Sequence, residues 1–226
     1  MGFFHHTDKG NSPAFLIEYE KANKIRVGKN TSFEQLPFVV IDTESSGLDK
    51  KDKILSIGGI GIEDRAIQLT DILEVTIQQS DVNIDPSVEI HGIMPAQLQK
   101  GLLPAKALEK IITFLGNRII VGHHINFDLQ LLNNMAGSLY KGAKILNPSI
   151  DIALLYKRLQ FFGNPYPVDP DKLMLDSICA HFNIETTDRH TACGDAFITA
   201  QVFLKLLAWA NNRGINTYGE IMKTRG

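Results

Sequence analysis

Asp42 and Glu44 stand one residue apart at the end of the apolar run Phe38–Ile41, in the segment FVVIDTESSGL. Side chains alternate between the faces of an extended strand, so a D-x-E pair projects to one side. Two carboxylates held that close repel unless a cation lies between them, and a hard divalent ion suits their oxygens. A strand end with solvated acids has the same spelling, so the pair means little alone. Asp128, in IIVGHHINFDLQLL, falls in the first turn of a predicted helix after a short apolar strand. An acid there also simply complements the helix dipole. His190 and Asp195, in RHTACGDAFITAQVF, mark the start of the last long helix. An imidazole with a pKa near neutrality can act as general base, and an acid in the first helical turns can be a further ligand. Together these are the parts of metal-assisted hydrolysis.

Three distant segments must therefore meet. PFVVID, ILSIGGIGIE and DILEVTIQ read as strands with short connections, which predicts an antiparallel meander. PAKALEKIITFLGN places Ala107, Leu108, Ile111, Ile112 and Leu115 at helical spacing between Pro104 and Gly116. RIIVG predicts another strand and NFDLQLLNNMAG a helix. Helical segments follow near 150–161 and 171–182, and the last runs from about Thr191 to Asn211, with Phe197, Ala200, Leu204 and Leu207 on one stripe. This order predicts a mixed α/β sheet flanked by helices. Residues 1–35 read as an N-terminal extension, with a short helix capped by Ser12 and begun by Pro13. Residues 36–211 read as the domain and 212–226 as a C-terminal tail.

The chain has 226 residues, 44% of them apolar and 21% charged, as in a soluble globular protein. A net charge of -2 and a pI of about 6.4 exclude a basic coat of the kind that binds nucleic acid through a global field. Cys179 and Cys193 form no metal-type pair and read as reduced thiols. His5 and His6 read as part of a solvated end. With no apolar run of about 20 residues, no membrane partner is expected and the location expected is cytoplasmic.

In order, D-x-E on an early strand, F-D after a later strand and H-x-A-x-x-D-A on a late helix resemble the three motifs of the DEDDh (DnaQ-like) 3′–5′ exonuclease family. That family includes the epsilon proofreading subunit of bacterial DNA polymerase III, ribonuclease T and oligoribonuclease. The segments ILSIGGI and IHGIMPAQL are also similar to the family, and the likeness spans roughly Leu36 to Ala210. The resemblance implies an RNase H-like mixed five-stranded sheet with helices around it. It further implies two divalent ions, Mg2+ or Mn2+: Asp42 bridging them, Glu44 and Asp195 helping hold one, Asp128 supporting the other, and His190 deprotonating the attacking water. Such ions neutralise an anionic diester and stabilise the leaving 3′-oxygen.

The first motif here is D-T-E-S-S-G, where the family often has two threonines, so Ser45 and Ser46 retain the hydroxyls. His123 and His124 stand where the family often has His-Asn, which puts that substrate contact in doubt. Substrate contacts are expected from Thr43, Leu48, His91, His124 and Phe127. Phe161, Phe162 and Tyr166 are further aromatic candidates, with core packing the default, and Lys141, Lys144, Lys157 and Arg158 are candidate backbone contacts. The residues themselves do not separate DNA from RNA. The first reading is hydrolysis of single-stranded or unpaired DNA 3′ ends to nucleoside 5′-monophosphates; the alternative is trimming of RNA or short oligoribonucleotides. A catalytically silent subunit bound to a DNA polymerase is a further alternative, disfavoured because all five catalytic positions are present. A phosphoesterase acting on small nucleotides is another. Because 31 residues follow Asp195, a stand-alone repair or processing enzyme is expected over a proofreading subunit.

Overall fold

A computed structural model of the chain describes residues 12–47, 49, 51–79, 92–163 and 166–224. Strands β1 (Phe38–Ser45), β2 (Ile54–Glu63) and β3 (Ala66–Thr76) form the expected antiparallel meander. The β2–β3 hairpin closes through Asp64 and Arg65, both with positive φ (49° and 60°), as a twist-matched two-residue turn demands. Strands β4 (Ile119–Gly122) and β5 (Ser149–Asp151) add in parallel, giving the order β3-β2-β1-β4-β5. A parallel neighbour requires a crossover, supplied by α2 (Pro95–Gln99) and α3 (Pro104–Leu115). The mixed five-stranded sheet is the one the resemblance implies.

The other helices are α1 (Ala14–Ala22), α4 (Asn126–Leu139), α5 (Ile152–Gln160), α6 (Leu175–Phe182), α7 (Ala192–Asn211) and α8 (Tyr218–Ile221). Because helices cover both faces, β1 carries a continuous apolar run and not an alternating one. On one face Phe38, Val40, Ile60 and Ile62 pack with Ile198, Val202, Phe203 and Leu206 of α7. On the other, Val39, Ile41 and Ile57 pack with Ile111 and Leu115 of α3 and Leu131 and Leu132 of α4. Phe203 meets Phe38 edge-on at 5.0 Å and is fully buried; truncating such a ring costs about 3–5 kcal/mol.

Three local expectations are corrected. Helix α1 begins at Ala14 with Pro13 as its cap, and no side chain caps it. Helix α7 is not buried along one stripe: Phe197 is 39% exposed, while Ala196, Ile198, Val202, Phe203 and Leu206 are buried with Ala200 and Leu207. The helix is enclosed by β1, β2, α5 and α6, so its apolar residues are not confined to the spacing of an amphipathic surface helix. By length and composition α7 also passes as a membrane span, although more than half of that window is buried inside the fold. Strand β3 is longer than DILEVTIQ and shifts register between Ile60 and Gly61 of its partner.

Packing continues on both sides of residues 36–211. Leu16 and Tyr19 of α1 bury against Leu108, Ile112 and Ala136, and the Tyr19 hydroxyl donates to Asn147 and accepts from the Leu146 amide. Ile221 belongs to the same core as α7.

Candidate active site

Strand β1 changes character halfway along: Phe38 to Ile41 are buried, whereas Asp42 to Ser45 are half-buried. Asp42 lies opposite Gly58 of β2 and Glu44 opposite Ser56. Gly58 is what lets α7 approach. A Cβ there would fall 2.3 Å from the Ala192 carbonyl carbon and the Cys193 amide, so only glycine allows the helix start to rest on the strand. Thr191 caps α7, its hydroxyl accepting from the Gly194 amide at 3.0 Å, and Asp195 sits in the first turn. The outcome is that carboxylate oxygens of Asp42, Glu44 and Asp195 lie within 4.8 Å of one another.

Asp128 arrives from the opposite layer, in the first turn of α4, and is 6% exposed. Thr43 points to that layer and donates its hydroxyl to Asp128 Oδ1 at 2.7 Å. Thr43, expected as a substrate contact, thus has its proton committed to a carboxylate. His124 is exposed, has a positive φ of 52°, and its amide donates to Asp151 at 3.3 Å. His123 is part-buried with its Nε2 at 2.8 Å from the Leu173 carbonyl, and burial lowers its pKa. Phe127 packs on the core formed by α3 and α4. Leu48 and His91 lie outside the described residues. Ser45 and Ser46 hold the turn after β1: the first donates to the Gly47 carbonyl, the second to Asp52 at 3.0 Å.

The acids destabilise one another's charge. Burial, then Asp128, Asp195 and Glu44, raise the Asp42 pKa well above the usual carboxylate range. Burial and then Asp195 raise that of Glu44. Burial pushes Asp128 up to about 7, against the Thr43 hydrogen bond, which lowers it. Buried like charges of this kind are relieved by protonation or by a cation. An all-oxygen, carboxylate-rich set fits a hard divalent ion better than a soft metal. Asp42, Glu44 and Asp195 can hold such an ion, with Asp128 alongside.

His190 is exposed, with φ 63°, and lies near enough to Glu44 to lower that carboxyl's pKa. Two neighbours were not singled out from sequence. Arg189 joins Asp195 through Nη1 and Asp176 through Nε at 2.8 Å. Asp151 caps α5 and adds a negative charge that bears on Asp128. Adjacency to His190 was the one signal for Arg189; the local pattern at Asp151 marks a helix cap and not a place beside the acids. A cavity of about 300 Å³ opens beside Glu44, lined by Ser56, Glu74, Thr76, Gln97, Thr191 and Cys193 among others.

A family model described as "Exonuclease" matches residues 39–203. The chain is 31% identical over 220 residues to a DNA polymerase III PolC-type protein of Thermotoga petrophila, covering 95% of this chain and 15% of that one. It is 29% identical over 171 residues to the DNA polymerase III subunit epsilon of Aquifex aeolicus, covering 75% of this chain and 80% of the relative. It therefore spans only a small part of the PolC-type relatives. Among solved structures, E. coli ExoI in a zinc-bound complex with ssDNA superposes with a TM-score of 0.66 at 17% identity, over 80% of this chain and 42% of that one. Exonuclease X in complex with 5′ overhanging duplex DNA gives 0.62 at 19%, over 84% and 99%. These likenesses show a shared RNase H-like fold.

Proposed function

The chain belongs to the exonuclease family, and on that premise we propose that it hydrolyses the terminal phosphodiester at the 3′ end of single-stranded or unpaired DNA, releasing nucleoside 5′-monophosphates. The observation that carries this reading is the convergence of Asp42, Glu44 and Asp195 within 4.8 Å, with Asp128 beside them. Asp42, Glu44, Asp128 and Asp195 would hold two divalent ions, Mg2+ or Mn2+. When bound, such ions neutralise the diester and stabilise charge on the leaving 3′-oxygen. His190, exposed beside Glu44, accepts the proton of the attacking water at a ring nitrogen. Thr43 fixes the Asp128 carboxylate. The exposed His124 and the cavity beside Glu44 contact the terminal nucleotide. DNA is favoured over RNA because the relatives are DNA polymerase III proteins and the fold neighbours carry DNA in their complexes.

The test is a time course with 3′- and 5′-labelled DNA and RNA oligonucleotides in Mg2+, Mn2+ or EDTA. Stepwise shortening of DNA from the 3′ end is expected, absent in EDTA and in Asp42→Ala, and slowed about 100-fold in His190→Ala. Faster loss of RNA would replace the substrate, and no digestion of either polymer would sink the enzymatic reading.

A further inference from the structure

Arg189 is the cation that reaches the acidic cluster among the ion pairs of the described residues. Its side chain is only 19% exposed and lies between two helices: Nη1 bonds Asp195 of α7, while Nε and Nη2 reach Asp176 of α6 at 2.8 and 3.4 Å. The turn that carries it is tightly specified. Asp188 and His190, on either side, both adopt positive φ (61° and 63°), a conformation that non-glycine residues avoid. Thr191 donates to the Asp188 carbonyl at 2.9 Å, and a Cβ on Gly194 would fall 2.0 Å from that same oxygen. The turn is thus folded back on the first turn of α7, with Arg189 pinned inside and His190 displayed outside.

We propose that Arg189 is a positioning residue with two roles: a stand-in cation at Asp195 when no divalent ion is bound, and an anchor through Asp176 for the turn that presents His190. The inference rests on the metal reading above. A guanidinium and a metal ion compete for the same carboxylate charge, so occupancy of the metal site weakens the Nη1 contact. The Asp176 contact lies on another helix and persists, so the His190 turn stays in place. The divided partnership explains why a half-buried arginine stands at a site that must accept further positive charge.

The experiment compares wild type, R189Q and D176N by Mn2+ titration calorimetry, and by thermal unfolding in EDTA and in Mn2+. R189Q is expected to bind Mn2+ about tenfold more tightly, because its competitor is gone. In EDTA it should melt below wild type, because Asp195 is left uncompensated, and Mn2+ should close most of that gap. D176N keeps the Asp195 pair and loses the anchor. It should bind Mn2+ no more tightly than wild type, with kcat reduced and KM unchanged. Should R189Q not fold, R189K keeps the charge without the two-sided bonding, and its Mn2+ affinity should fall between wild type and tenfold tighter. Mn2+ affinity in R189Q or R189K equal to or weaker than wild type overturns the proposal while leaving the metal reading intact. Failure of wild type to bind Mn2+ overturns both.

Discussion

Two helices begin at the end of β1, one in each layer, and each brings an aspartate in its first turn. Asp195 on α7 meets a cation, Arg189; Asp128 on α4 meets a neutral hydroxyl, Thr43. Both are nearly enclosed, at 8% and 6% exposure. The difference lies in how each tolerates burial. An ion pair offsets charge directly, whereas one hydroxyl does not outweigh desolvation, and Asp128 is pushed up to about 7. On one side of the site the protein supplies a counter-charge of its own, and on the other only a hydroxyl.

The largest expected effect breaks the comparison at both ends. On the proposed function, Asp195→Asn and Asp128→Asn should each lower kcat by about 10³-fold, since both carboxylates would serve the same ions. In EDTA their stabilities should diverge. Asp128→Asn should melt at or above wild type at pH 8, because it removes a disfavoured charge. Asp195→Asn should melt no higher than wild type, because it removes the partner of Arg189. Equal shifts in the two variants would mean that the two sides are not compensated differently.

A pH series sharpens the same point. Burial raises the folded-state pKa of Asp128 from its ordinary 3.8 to about 7, and Asp42 and Glu44 shift the same way. The folded state then binds more protons than the unfolded state, so stability falls as pH rises between about 4 and about 7. Asp176, held low by Arg189, acts in the opposite sense only below its ordinary 3.8, outside that window, whereas His123, lowered by burial from its ordinary 6.5, opposes the fall within it as one group against three carboxyls. In chelator, calorimetry should give a higher Tm at pH 5 than at pH 8, and Mg2+ should flatten the slope. A Tm in EDTA that climbs from pH 5 to pH 8 would contradict the assignment.

The smallest effect concerns the hydroxyl itself. Thr43→Val keeps the shape and the strand while removing the proton donated to Asp128. A stability loss of about 1–2 kcal/mol at pH 8, measured in urea, is expected, with less loss at pH 5 where Asp128 is protonated. A loss independent of pH would assign Thr43 to packing alone.

Much of the site was legible because its rules are local. Strand alternation puts Asp42 and Glu44 on one side, and a first-turn position orients Asp128 and Asp195. The helix α3 was legible for the same reason, its five apolar positions all being buried. Helix α7 was not. Enclosed by the sheet and by neighbouring helices, it escapes the one-sided spacing by which a surface helix is recognised. Asp151 and Arg189 were missed because nothing in the local spelling says that the first, a helix cap, lies beside Asp128, or that the second pairs with Asp195 and Asp176.

By itself the sequence determined the residue types of the candidate site, their order and the alternation that pairs the first two, because these follow from side-chain chemistry and backbone period. Only the tertiary structure decided that α7 comes to rest on Gly58, that Thr43 serves Asp128 and that Arg189 answers Asp195. The first two depend on which surfaces pack together across long chain separations and the third on how a turn folds back on its own helix; in each, close approach or charge compensation, not local propensity, selects the partner.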